Sequence, residues 1–453
     1  MMSELGVLAK FVREFDLDSA PDGVLDAARY CVLDSVGSAL GAGSSAEIQS
    51  ITDEFSEWGF SIGTKDASVW GHGHRTNVFP ALLINGMMSH ELEMDDVHAN
   101  SKSHIGAVVV PAAWTLADAL GLTGRKFIEA VIVGYEVMSR IGMGMDVSSN
   151  RKRGWHTTGI IGTFGAAAAS ARLLGIDAKR TVSALGMAGT QSSGLWAFLA
   201  DGSTCKKLHT ARASINGLVS AILAKAGMTG PPHILDAPDG GLYRAVSDSF
   251  DTSAVTSGLG EVYEITKMDK KPYPCCRTTH HAIDGALGLR KEHCLAPEDI
   301  SEILVETYDV GVLQCGAPIY PASPVEAKFS IPYTVAAAFV YGKVTLDEFR
   351  TGAIDSHTVR EIAENTKVIG IPLFTEKYPA RWGSRVTVTT KDARKLSRQI
   401  DDMSGSVALP LTREQEETKF TGLASAVFTK PRTDKTMIDI LGIESLERMP
   451  DLA

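Results

Sequence analysis

Residues 154–175 read GWHTTGIIGTFGAAAASARLLG, and the fold class turns on this stretch. Glycine and alanine recur at i, i+3 and i+4, so a helix built from them has faces without bulk, along which neighbouring backbones approach closely. Such a helix belongs in the centre of a bundle, and His156 lies at its start. Outward from it, Phe127 to Ile141 is apolar on nearly all faces and predicts a second buried helix. Ser19 to Ala42, with Pro21 in its first turn and Gly41 and Gly43 at its end, predicts another, followed by one through Glu54 and Trp58. Further helices are expected over Phe79–Met88, Thr181–Phe198 and Ala213–Ala226. WGHGHRTN at 70–77 has no periodicity and reads as a loop.

Near residue 260 the character changes. The run KKPYPCCRTTHHAID, 270–284, carries two prolines that exclude a helix until Thr278 or Thr279, either of which can cap one. ISEILVETY at 300–308 and RVTVTT at 385–390 alternate with the period of a strand, and helical segments lie between them at 331–340, 346–354 and 356–366. Beyond Asp402 the chain returns to helix: Thr412 with Gln415 forms a capping box for a helix through Ala426, then 436–441 and a short helix near Pro450. The expected fold is mainly α. A large discontinuous all-helical domain spans 1–265 and 401–453, and a smaller α+β lid domain is inserted over 266–400.

Bulk composition narrows the function classes. With 453 residues, 44% of them hydrophobic, and a mean hydropathy of +0.03, the chain has the make-up of a soluble enzyme with a large core. A formal charge of −10 argues against nucleic acid or an anionic membrane as partner. The first residues, MMSELGVLAKFVREFDLD, lack the basic and apolar regions of a signal peptide, and no run of some 18 apolar residues occurs. Six cysteines, at 31, 205, 275, 276, 294 and 315, form no CxxC pair, which fits a reducing cytoplasm and no iron–sulfur cluster.

The chemistry concentrates in residues 85–111, NGMMSHELEMDDVHANSKSHIGAVVVP, with four acids and three histidines. Met87, His90, Met94 and Val97 recur at helical spacing, predicting a helix to about Val97 with Glu93 and Asp96 on a neighbouring face. Asn100, Ser101 and Ser103 then favour a turn, which sets His104 and Gly106 at the mouth of the next helix, where free N–H groups favour anions. No HExxH spacing occurs and no metal is expected. Two basic clusters stand out in an acidic chain. Lys206, Lys207, His209 and Arg212 lie on a turn ahead of a helix, and Lys270, Lys271, Arg277, His280 and His281 lie in the proline-rich run.

These motifs resemble those of the MmgE/PrpD family, which includes 2-methylcitrate dehydratases, cis-aconitate decarboxylases and iminodisuccinate epimerases. The likeness runs along essentially the whole chain, through HELEMDDVH (90–98), the His104-Ile105-Gly106 turn, GYEVMSRIG (134–142), GWHTTGIIGTFGAA (154–167), CKKLHTARA (205–213), KPYPCCRTTH (271–280) and EAKFSIPY (326–333). The family's acidic motif commonly reads Asp-Phe-Asp-Asp-Thr, against Glu93-Met94-Asp95-Asp96-Val97 here, and Ile105 replaces the proline of a His-Pro-Gly turn. The resemblance implies a homodimer with an active site in the cleft between a helical domain and a lid, without metal or organic cofactor. It carries His104, His156, Lys206 and Lys271 over as catalytic positions and Tyr333 as a weaker one.

Substrates of that family are di- and tricarboxylates, whose charge must be matched where water is excluded. Lys206, Lys271, Arg277 and the histidines suit that match, with Lys207 and His209 as further substrate-binding candidates. Abstraction of a proton next to a carboxylate generates an enediolate that only preorganised positive charge stabilises. One of His104 and His156 would then act as base and the other as acid, while Glu93, Asp95 or Asp96 orients a histidine or holds the substrate. The expected activity is a hydro-lyase like 2-methylcitrate dehydratase. A cis-aconitate decarboxylase, an amino-dicarboxylate epimerase and a non-catalytic carboxylate-binding module are the alternatives.

Overall fold

The computed structural model describes residues 2–57 and 66–453. Trp58, to which the sequence extends the helix Ala46–Glu57, lies outside them. The described chain is mainly helical and separates into two compact units. The first comprises the chain to Trp196, Cys205–Met268 and Thr412–Ala453; the second comprises Ala197–Thr204 and Asp269–Leu411.

In the first unit, the small-residue segment becomes the helix Thr157–Leu174, packed against Gly124–Met143 on one side and Lys206–Lys225 on another. The close approach expected of glycine and alanine is present: a Cβ on Gly217 would stand 2.5 Å from Ala166 Cβ and 2.6 Å from the Thr163 carbonyl. Helices Val24–Ala42, Val78–Glu91 and Gly106–Leu120 complete this core, which includes the fully buried Trp114, Phe127 and Phe164. Among the described residues no helix is long and apolar enough to cross a membrane.

Three local readings are corrected here. His74–Asn77, expected in a loop, is a strand paired antiparallel with Asp66–Val69, because its bonds come from the partner backbone rather than from any apolar alternation of its own. The helix expected to reach Val97 stops at Glu91, since Glu93 adopts φ 58° and turns the chain out of helical geometry. The helix expected from Ala213 starts at Lys206, so Lys206 and Lys207 occupy its first turn rather than a preceding turn. Lysine there opposes the helix dipole, and local propensity alone does not point to it.

The second unit is built on a four-stranded sheet in the order Thr366–Gly370, Ile300–Thr307, Ser384–Thr390, Lys395–Ile400. The first pair is parallel and the other two antiparallel. Val386 and Val388 are buried under the helix His280–His293, and a Cβ on Gly285 of that helix would meet Val386 at 2.7 Å. Pro272 and Pro274 precede a short 3-10 turn, Arg277–Thr279, which runs into that helix as the proline positions require. Ala197–Thr204 joins this unit through Phe198, whose ring packs 5.9 Å from Phe329. All six cysteines are free thiols.

Candidate active site

The acidic turn distributes its side chains because it is not a helix. On a helix Glu93 and Asp96 would share a face; with φ 58° at Glu93, the three acids of 93–96 reach three separate sets of partners. Glu93 accepts from the ammonium of Lys206. Asp95, fully buried, accepts from His90 Nδ1 at 2.8 Å through Oδ2, and the same oxygen lies 3.0 Å from His104 Nδ1, within ion-pair distance. Asp96 accepts from the backbone N–H of Gly106 at 2.9 Å and from the Tyr135 hydroxyl at 2.8 Å. Burial, with Asp96 alongside, pushes the Tyr135 phenol well above its ordinary value, so it stays a donor. Lys419 pins the turn from outside, donating to the Met94 carbonyl at 2.7 Å and to Asp34 at 2.6 Å.

Carboxylate and carbonyl oxygens only accept, so His90 presents Nδ1–H to Asp95, His104 presents Nδ1–H to the Asp96 carbonyl with Asp95 alongside, and both direct Nε2 elsewhere. His104 sits on the turn before the helix Gly106–Leu120; its backbone N–H donates to Thr158 at 3.1 Å, and its Nδ1 also lies 3.2 Å from the Asp96 carbonyl. His90, Asp95 and His104 offer atoms within 4.8 Å of one another, close enough to consider a metal. The carbonyl beside His104 Nδ1 calls for an N–H there, so a cation could be met by this ring only through Nε2.

His156 caps the start of the helix Thr157–Leu174 and is buried. The His90 ring connects the cluster, with centroids 4.5 Å from His104 and 6.3 Å from His156. On its other side His156 Nδ1 lies 2.9 Å from His209 Nδ1, and its ring meets Trp196 edge-on at 5.1 Å. Burial, then Lys206 and the neighbouring histidines, hold His156 well below the usual imidazole range. Burial and Lys206 bring His209 down to about 4. Both are neutral at pH 7.

The structure thus brings His104, His156, Lys206, Glu93 and His209 into one cluster of the first unit, and adds His90. Sequence reasoning had placed His90 only in a helical spacing; its proximity to Asp95 depends on the helix ending between them. Lys207 belongs to a neighbouring ion-pair group, with Nζ 2.7 Å from Glu47 and 2.5 Å from Glu91. His98 has a supporting place, bonded to Ser101 at 2.8 Å and Glu264 at 3.1 Å.

Lys271, Arg277 and Tyr333 lie in the second unit. Lys271 is fully buried. Arg277 grips Asp269 through Nε and Nη2, both at 3.1 Å, and donates to the Ser404 carbonyl at 2.8 Å and to His280 at 3.0 Å. The Tyr333 hydroxyl donates to the Glu348 carbonyl inside the helical layer.

Comparison with known proteins identifies the family. The family model for the MmgE/PrpD N-terminal domain matches residues 6–254, and that for the C-terminal domain matches 273–442. A cis-aconitate decarboxylase-like protein of Aspergillus oryzae is 26% identical, over 98% of this chain and 95% of the relative. The cis-aconitate decarboxylase of Homo sapiens is 26% identical over 94% of this chain and 89% of its own. The 2-methylcitrate dehydratase of Escherichia coli is 20% identical over 83% and 79%.

Proposed function

The chain belongs to the MmgE/PrpD family, and from that premise we propose that it is a lyase acting on a small tricarboxylate by proton transfer at a carbon beside a carboxylate. The observation that carries this reading is the pair of imidazoles set differently: the half-buried His104 beside the Asp95 carboxylate, and the buried His156 beside Lys206 and other histidines. Asp95 fixes the ring of His104 and stabilises its imidazolium form, as a buried aspartate does in a hydrolase triad, so His104 enters the step already carrying a proton on Nε2. His104 is therefore the proton donor. His156, held neutral, is the base. Lys206, steadied by Glu93, binds a substrate carboxylate and the charge that develops on it.

The finer reading is decarboxylation of a substrate such as cis-aconitate, supported by the greater share of the chain covered by relatives bearing that name. The bond to one carboxylate breaks, carbon dioxide leaves, and its electron pair forms a new double bond as the old one shifts. The far carbon takes the proton from His104, which recovers one from water.

A second reading, dehydration of a substrate such as 2-methylcitrate, is favoured by a base and an acid standing in one cluster. His156 removes the proton beside a carboxylate, the electron pair becomes the double bond, and the hydroxyl departs as water with the proton of His104. Proton NMR of purified protein with cis-aconitate and, separately, with 2-methylcitrate separates the readings by carbon dioxide release or by water loss. Folded protein that changes neither compound would overturn both.

A further inference from the structure

His209 stands behind His156 rather than in front of it, and the contact is between the two Nδ1 atoms, 2.9 Å apart. Two nitrogens at that distance hold one proton between them: two protons would clash, and none would leave two lone pairs facing each other. The environments decide which ring carries it. His156 is buried, and among the described residues no hydrogen bond ends on its Nε2. An N–H there would have no side chain or carbonyl of the described residues to donate to, whereas Nδ1–H has an acceptor in His209. His209 is half-buried, so its own proton, on Nε2, can face water.

We propose that His209 is a positioning residue for the lyase reaction: its Nδ1 lone pair fixes His156 as the Nδ1–H tautomer and so keeps Nε2 of His156 as the lone pair that accepts the substrate proton. This rests on the dehydration reading, in which His156 is the base. The groups facing His156 are His90 from the helix Val78–Glu91, His104 from the turn, and Lys206 and His209 from the helix Lys206–Lys225. Of these groups, His209 is the one hydrogen-bonded to the Nδ1 of His156. A neutral imidazole left alone prefers its proton on Nε2, which is the wrong form for a base at that atom.

The test is nitrogen-15 NMR of histidine-labelled, ligand-free protein, which reads the tautomer without requiring turnover. Wild type is expected to show His156 as Nδ1–H at pH 7, and His209→Leu to convert it to Nε2–H. His209→Asn, which keeps an acceptor near the position of Nδ1, is expected to restore it. In turnover, His209→Leu should lower kcat about 10- to 100-fold with little change in KM, and His209→Asn should recover most of the loss. A wild-type His156 that is already Nε2–H overturns the proposal, even should the leucine variant fail to fold. So does a His156 whose tautomer is the same in wild type and His209→Leu. Absence of turnover on any tricarboxylate, with the tautomer result as expected, would instead remove the lyase reading and leave the His209 contact standing.

Discussion

His104 and His156 in the first unit and His280 and His281 in the second are two pairs of histidines with little exposure, yet their nitrogens face different things. His104 is anchored to a carboxylate and His156 to another imidazole, so in each the Nδ1 is committed and Nε2 points onward. His280 instead accepts from the Arg277 guanidinium at 3.0 Å and reaches the Cys275 carbonyl at 3.3 Å with Nε2, which leaves neither nitrogen for chemistry. Among the described residues, both nitrogens of His281 lack a hydrogen-bond partner, and its ring packs against Tyr308. A buried histidine is ready for proton transfer when one nitrogen is held by an anchor; held at both ends or at neither, it is part of the packing.

The largest effect that would break this contrast is in the first unit. His104→Ala should lower kcat about 1000-fold, measured on whichever tricarboxylate turns over, with the thermal midpoint changed far less than in the next variant. Arg277→Ala should do the reverse: it leaves Asp269, 3% exposed, without its counter-charge, at a cost of about 3–5 kcal/mol read by denaturant unfolding.

His281 gives a smaller effect that depends on pH. Burial and Arg277 lower its ring to about 3, so the unfolded chain binds the extra proton first. Stability therefore falls as pH drops below the ordinary imidazole value of about 6.5 and is fully present above it. His281→Phe should remove about 2 kcal/mol of the stability that wild type loses between pH 7 and pH 5, seen as a shallower fall of the thermal midpoint. The smallest effect is Tyr333→Phe, which deletes one hydrogen bond to the Glu348 carbonyl and should cost about 1 kcal/mol while leaving kcat within twofold. A large loss of turnover there would return Tyr333 to the chemistry.

What the sequence made legible follows the same division. The central helix could be read from its small residues because close packing leaves a compositional mark, as Gly217 against Ala166 shows. The turn at 93–96 could not, since nothing in a glutamate encodes φ 58° and the apolar spacing of Met87, His90, Met94 and Val97 runs straight across it. Lys206 was legible as a cation but not as the first residue of a helix, because the counter-charge that makes it tolerable, Glu93, lies 113 residues away. The strands Thr366–Gly370 and Lys395–Ile400 escaped notice for a simpler reason. They are the sheet's two edges, and their exposed faces carry no alternation to detect.

The central claim is that Asp95 acts through the imidazole of His104, and a double-mutant cycle on turnover tests it most directly. Product formation from cis-aconitate or 2-methylcitrate would be followed by proton NMR for wild type, Asp95→Asn, His104→Ala and the double variant, each confirmed folded by its thermal midpoint. The account predicts a loss of about 100- to 10,000-fold in each single variant and a double variant no slower than His104→Ala, as for groups that work as one unit. Turnover by Asp95→Asn at the wild-type rate, or losses that simply multiply in the double variant, would contradict it.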